Sequence, residues 1–323
     1  MSNVVTNRHD FLVLFDVANG NPNGDPDAGN MPRIDPNTNK GIVSDVCLKR
    51  KVRNFVELFK PERKAGDCGN NILIRQGAVL NTEITKGRLA AGESLDKSAS
   101  DDQKAEAAMR WLCRELFDVR AFGAVLSTGD EIMKGSAFGQ VRGPVQFTFG
   151  QSFHPITPLE ITVTRCAVTK EEDASKERTM GHKHIVPYAL YAAKGYISPP
   201  FAEKTGFTNA DLELLFEALN HMFEHDRSAA RGEMAVRGIY DFEHVGSQHV
   251  NNAEQNKREA RLGCYHAHKL LEGVTAKLKD GKSFPESFND YDVTCAWNEE
   301  NLPKGVVLNL RHELPTKTIR FKS

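Results

Sequence analysis

The sequence predicts an α+β fold. Short strand-like runs recur at 11–15, 139–149, 158–165 and 235–244, either continuously apolar or alternating. Helical periodicity appears at 44–59, 105–117 and 208–225. The two kinds alternate irregularly, without an internal repeat or a long low-complexity tract, which favours α+β over a regular βαβ array.

Phe11-Leu-Val-Leu-Phe15 is short, aromatic and bounded by turn residues, so it reads as a buried strand. It enters Asp16-Val-Ala-Asn-Gly-Asn-Pro-Asn-Gly-Asp-Pro-Asp-Ala-Gly-Asn30, where Gly and Asn tolerate positive φ and each Pro fixes its own φ. Such a loop lets backbone approach a polymer or an ion. Ser44 is the expected N-cap of the following helix, and Asp45 complements its dipole. Leu48, Val52, Phe55, Val56 and Phe59 share one face and are expected in the core. Lys49, Arg53 and Lys60 lie on one flank of that face, Arg50 farther round, and Lys51 on the opposite flank. A basic helix is ordinarily a solvated face. Directly after a loop open to backbone contact, this one points to phosphate binding.

Residues 61–70 form a break, 71–80 an extended piece, and 86–104 a polar surface excursion before a helix capped at Asp101. Asp118-Val-Arg-Ala-Phe-Gly123 turns the chain out of that helix. The charged, core-poor segment 168–181 is the expected projecting arm, and 208–225 is a capped amphipathic helix. A helix near 253–272 and strands near 291–297 and 305–311 complete the chain.

Composition sets outer limits. The chain has 323 residues, 40% of them hydrophobic and 26% charged, and a net charge of −1. Any nucleic-acid site must therefore come from local charge segregation. No apolar run approaches the roughly 20 residues that span a bilayer, and Met1–Asp10 lacks a signal-peptide core. Six scattered cysteines without a C-x-x-C pair argue against a zinc ribbon or a disulfide framework. The expectation is a soluble cytoplasmic protein with no membrane partner.

Four motifs compete with a binding role. Ala276-Lys-Leu-Lys-Asp-Gly-Lys-Ser283 fits a relaxed phosphate loop, but it ends an expected helix and precedes Pro285 instead of opening a helix. His221-Met-Phe-Glu-His225 matches an inverted zinc-protease motif, yet both imidazoles project away from the apolar face. Asn19, Asn21, Asn23 and Gly24 have calcium-loop spacing, with Asn30 where the loop needs Glu. Asp16, Asp25, Asp27 and Asp35 are the serious rival, an acidic cluster that would hold Mg²⁺ for phosphodiester cleavage; otherwise they are turn formers. The H-x-H pairs at 182/184 and 266/268 lack further ligands at metal spacing.

Asn21-Pro-Asn-Gly-Asp-Pro-Asp-Ala-Gly-Asn-Met-Pro-Arg-Ile-Asp35 and Gly41-Ile-Val-Ser-Asp-Val-Cys-Leu-Lys-Arg-Lys-Val-Arg53 closely resemble the type I-C Cascade backbone subunit of the CRISPR-associated Cas7 family, Csd2 subgroup. Residues 118–123, 139–144 and 225–232 resemble it too, in the expected order. The resemblance implies an RRM-like (ferredoxin-like) palm with finger and thumb insertions. The palm is expected over 1–60 and 111–323 with an arm near 166–184, and a finger-like insertion over 61–110. It implies a crRNA-binding scaffold without catalytic residue, metal or cofactor. Copies would polymerise head-to-tail along the guide spacer and present bases to a target DNA strand, with other Cascade subunits and a recruited helicase-nuclease as partners. Related type III backbone subunits cut bound RNA with an acidic loop residue, so the alternative function is a ribonuclease using Asp25 or Asp27.

Sequence-tolerant RNA binding needs cations along a phosphate track and flat or apolar faces for bases. Lys49, Arg50 and Arg53 supply cations, and Arg33 is assigned with them from the same resembling block. Arg120 and Phe122 offer a guanidinium and a ring beside Gly123, while Gln140 and Arg142 project from one strand face. Core packing is the other reading of Phe122, and a rim ion pair that of Arg142. In the arm, Met180 is the expected wedge between bases, with His182 and Lys183 touching RNA beside it.

Overall fold

The computed structural model describes residues 3–59, 61–64, 66–93, 98–127, 133–167, 170, 180–247, 252–312 and 317–320. Mixed α and β elements surround a central antiparallel sheet. Strand His9–Gly20 lies at its centre, between Met180–Ile197 and Glu233–His244. Gly150–Pro155 and then Lys40–Val43 extend the sheet on one side, Val306–Leu310 and Lys317–Arg320 on the other.

The unbroken apolar run at 11–15 has a simple cause: both faces of that strand are covered. Phe11, Val13, Phe15 and Val17 pack with Leu48, Val52 and Val56 of helix Asp45–Phe59 and with Leu212, Leu215 and Leu219 of helix Asn209–His221. Leu12 and Leu14 face the opposite layer, with Leu270 and Leu271 of helix Ala267–Glu272 and Leu308. Phe11 sits edge-on to Phe147 and Phe216, with ring centroids 5.5 and 5.4 Å apart.

A second apolar cluster joins helices Leu80–Gly92 and Asp101–Glu115 with Leu116, Val119, Leu126, Met133 and Val141. Here the expectations at 71–80 and 86–104 are corrected. Residues 71–79 contain no strand, and the polar-looking stretch begins as a helix whose Ile84 and Gly87 are buried. Gly87 is what permits its close approach: a Cβ there would lie 2.8 Å from the Leu112 side chain. The next helix is capped by Ser100, not Asp101, in a reciprocal capping box with Gln103.

The segment near 253–272 divides into Ala253–Leu262 and Ala267–Glu272 at Gly263, which has φ 107°. Val274–Leu278 is a strand paired with Tyr291–Cys295, so the phosphate-loop-like residues form a hairpin connection and not a helix end. Among the described residues, no helix is long and apolar enough to cross a membrane.

Candidate nucleic-acid interface

The glycine-rich loop is held from two sides. Asn23 Oδ1 accepts hydrogen bonds from the Ser44 amide and hydroxyl, both at 2.8 Å. Ser44 Oγ in turn accepts from the Cys47 amide at 3.3 Å, as an N-cap does. On the other side lies the turn Asp226–Gly232. The Asn21 amide donates to the Ala230 carbonyl at 2.8 Å, and Arg231 Nη1 donates to the Pro22 and Asn21 carbonyls at 3.0 and 3.3 Å. The two backbones run so close that a Cβ on Gly20 would meet the Arg231 carbonyl oxygen at 1.9 Å. Gly232, at φ 61°, fits only as glycine, since its Cβ would lie 2.4 Å from the Ala18 carbonyl.

This contact gathers charge, to which Arg231 is the addition that sequence reasoning missed. Lys51, buried, pairs with Asp226, and Arg231 Nε lies 3.5 Å from the same carboxylate. Burial raises the Cys47 thiol pKa, while the charges of Lys51, Arg231 and Arg33 pull against it. Arg33 also bonds Asp25 at 3.2 Å. The available signal was the resembling segment 225–232, which carries Arg231 immediately before its glycine.

The other helix flank carries the expected cations, but in different roles. Lys49 Nζ bonds Asp45 at 2.9 Å and lies 5.9 Å from the Phe122 ring centroid. An i,i+4 pair of this kind is weak enough to yield to a phosphate. Arg53 is corrected to a core ion pair: it is 7% exposed, and its Nε donates to Asp118 at 2.8 Å. That carboxylate also accepts the Leu73 and Ile74 amides, which ties the second apolar cluster to the helix. Phe122 lies beneath the Arg53 guanidinium, 5.2 Å from it, and packs in the core; its ring is not open to a base. Arg120 is corrected as well. Its side chain is fully buried, and its guanidinium bonds Asp211 together with the carbonyls of Gly69, Cys113 and Arg114. No donor remains for RNA.

Arg50 is exposed, beside a cleft shared with Phe55, His221 and His225. Phe55 is half-buried and Phe59 exposed, against the core expectation, and their rings stack on each other at 5.6 Å. Lys60 lies outside the described residues. Strand Gly123–Val125 pairs with Gln140–Arg142, placing Gly123 (φ 82°) opposite Arg142. Val141 is buried, whereas Gln140 and Arg142 are exposed on one face as the alternation requires. Lys49 and Arg53 therefore lie against Phe122, next to Gly123, whose strand partner is Arg142, with Arg50 on the same helix as the two cations.

Met180, His182 and Lys183 lie elsewhere. Strand Leu159–Thr164 pairs with the outer end of Met180–Ile197, aligning Met180 with Thr164 and Lys183 with Ile161. Met180 is 65% exposed, and His182 Nδ1 lies 2.8 Å from Glu160. Residues 168–169 and 171–179 of the expected arm lie outside the described residues.

Asp16, Asp25 and Asp35 are separately engaged, while Asp27 is exposed. Buried Asp16 accepts from Tyr188 Oη at 2.6 Å and Arg237 Nε at 2.7 Å. Asp25 caps the Asp27 amide and holds Arg33, and Asp35 accepts from Thr38 Oγ1 at 2.7 Å. Both His221 and His225 are exposed, and His221 stacks on Phe55. Among the described residues, no group of three His, Cys, Asp or Glu side chains is placed to hold a metal ion.

Residues 7–296 match the family model described as CRISPR-associated protein Cas7. A curated relative from Haloferax volcanii, also described as CRISPR-associated protein Cas7, is 29% identical over 268 residues, covering 77% of this chain and 74% of the relative. One solved structure similar to it is a CRISPR RNA-guided surveillance complex, pre-nicking, with TM-score 0.46 and 14% identity over 73% of this chain and 78% of that one. Another is a type III-B Cmr-beta complex bound to cognate target RNA, with TM-score 0.38 and 11% identity over 72% and 60% of the two chains.

Proposed function

The chain belongs to the CRISPR-associated Cas7 family, and from that premise we propose that it is the crRNA-binding backbone subunit of a type I-C surveillance complex. The observation that carries the backbone-subunit reading is the family match across residues 7–296; the type I-C assignment rests on the resembling segments 21–35 and 41–53. The side chains supply a mechanism consistent with it. Lys49, Arg50 and Arg142 offer cations around a glycine turn, with Arg33 under the adjoining loop, and such groups hold phosphates without reading bases. Gln140, Met180, His182 and Lys183 complete the proposed RNA contacts. The central sheet serves as the RRM-like palm. The hairpin at 159–164 and 180–185 serves as the base of the thumb, and the insertion 61–110 as the finger.

Copies would join head-to-tail along the guide, in a heterologous contact that does not close on itself. Base pairing would then read a target DNA strand, so the protein needs only shape and backbone contacts. Other Cascade subunits would cap the array, in the cytoplasm, and a recruited helicase-nuclease would cut. The scaffold reading is favoured over a ribonuclease because the Asp25 carboxylate is already held by the Asp27 amide and by Arg33.

The test is direct. The purified protein should carry RNA of guide length, with a high ratio of absorbance at 260 to 280 nm. Incubated with complementary RNA and Mg²⁺, the assembly should leave that RNA intact. Regularly spaced cuts abolished by Asp25→Ala or Asp27→Ala would replace the scaffold with the nuclease.

A further inference from the structure

Cys68 and Cys113 lie on two stretches of chain held side by side. The Gly69 amide donates to the Arg114 carbonyl at 2.8 Å, the Asn71 amide to the Glu115 carbonyl at 3.2 Å, and Asn71 forms a parallel bridge with Leu116. Followed back one residue, this register sets Cys68 against Cys113. Arg120 fastens the same joint, donating from Nη2 to the Gly69 carbonyl at 3.0 Å and from Nη1 to the Cys113 carbonyl at 2.8 Å. Both cysteines line one groove of about 730 Å³ beside helix Asp101–Glu115, ample for a small oxidant.

The two thiols differ in access. Cys113 is 3% exposed, with Sγ 3.8 Å from Met109 Sδ, while Cys68 is half-buried. By itself a buried Cys113 would be ordinary apolar packing. A second thiol at the same register, with access to the groove, gives it a partner. Burial pushes the Cys113 thiol pKa up to about 12 and raises that of Cys68 as well, while Arg120 pulls both down. The charge of Cys68 adds to the Cys113 shift, so the two sulfurs are within electrostatic reach. Thiols of high pKa attack an oxidant slowly, and they are equally poor leaving groups once joined. Such a pair closes slowly and resists reopening.

We propose that Cys68 and Cys113 form an oxidation site, at which a peroxide entering the groove converts the pair to a disulfide. The Cys68 thiolate attacks one peroxide oxygen, the O–O bond breaks, and the departing hydroxide takes up a proton as water, leaving a sulfenic acid. The Cys113 thiolate then attacks that sulfur, the S–O bond breaks, and the oxygen leaves with a proton as a second water. Two thiols and one peroxide give one disulfide and two waters. The bond closes a loop around helix Leu80–Gly92 and pins the stretch before Gly69 to helix Asp101–Glu115. Neither cysteine takes part in the proposed RNA contacts, so the oxidation site stands apart from that reading.

The full chain, reduced and then exposed to hydrogen peroxide, is alkylated with N-ethylmaleimide, digested with trypsin and mapped by mass spectrometry. Peptide 65–75 should appear joined to peptide 111–114 in protein that runs as a monomer on a non-reducing denaturing gel, and the link should vanish with dithiothreitol. In the oxidised chain, amide hydrogen exchange over 69–73 should slow about tenfold. Cys68→Ser, at the half-buried thiol, should abolish both effects, and Cys166→Ser, at an exposed one, should leave them intact. The linked peptides are read in the wild-type chain, so a folding defect in a variant does not decide the outcome. Full alkylation of both cysteines after peroxide, a link from Cys68 to any other cysteine, or Cys68 oxidised to sulfinic acid beside a free Cys113 overturns the proposal.

Discussion

Arg120 and Asp211 form a two-point ion pair, Nη2 to Oδ1 at 2.6 Å and Nε to Oδ2 at 3.0 Å, with both side chains out of solvent. Asp211 is also the third residue of the helix that Thr208 caps, and its Oδ2 accepts from the Thr208 amide and hydroxyl. One carboxylate thus closes a helix start and neutralises a buried guanidinium. Removing one partner of such a pair costs about 3–5 kcal/mol. Arg120→Ala should lower stability by that amount in urea unfolding. In the fraction that remains folded, RNA affinity should be unchanged; a selective loss of affinity at full stability would return Arg120 to the interface.

Lys49→Glu with Arg50→Glu should weaken RNA binding equally across sequences and flatten its salt dependence. Arg53→Glu should behave differently. Its guanidinium faces Asp118 in the interior, so a carboxylate there meets another carboxylate and the chain unfolds at lower denaturant. Salt titrations on the first variant and circular dichroism on the second separate the roles.

Arg231→Ala removes the hydrogen bonds to the Asn21 and Pro22 carbonyls and the contact with Asp226. Faster amide hydrogen exchange should follow in the loop 21–33, with the central strand unaffected. RNA binding should weaken although Arg231 need not touch RNA, because the loop loses its fixed shape. Exchange measured peptide by peptide checks both halves.

His9 and Asp241 make stability depend on pH. Burial lowers the His9 pKa, but the Asp241 carboxylate 2.9 Å away, with its hydrogen bond and Glu243 nearby, raises it above 6.5 overall. The folded state therefore binds a proton more tightly than the unfolded chain does. This contribution is complete below about pH 6.5 and is lost as pH rises through the raised folded value. Burial raises the Asp241 pKa, yet His9 and Arg311 bring it below 3.8, so its own contribution disappears as pH falls below that value. Wild type should lose more stability than His9→Gln between pH 6 and 9. Parallel melting curves would refute the coupling.

The large features were legible because they depend on local pattern. The apolar run at 11–15, the Ser44 cap and the Thr208-capped helix each carry their signal within a few residues. The side-chain roles did not, since Arg53 meets a carboxylate 65 residues away and Arg120 one 91 residues away. A basic helix and a basic turn look alike in sequence whether their charges face water or a distant aspartate. The helix at 80–92 was hidden by its polar composition; the Leu112 and Trp111 side chains packed against it explain why Gly87 occurs inside it.

The central strand also constrains biosynthesis. Both of its neighbours, Met180–Ile197 and Glu233–His244, leave the ribosome long after it does. At about 5–20 residues per second, Phe11–Phe15 waits on the order of ten seconds before its first partner exists. During that interval an unpaired, aromatic β-edge is exposed in the nascent chain, which makes this strand the natural client segment for a chaperone and the first suspect when overexpression yields inclusion bodies.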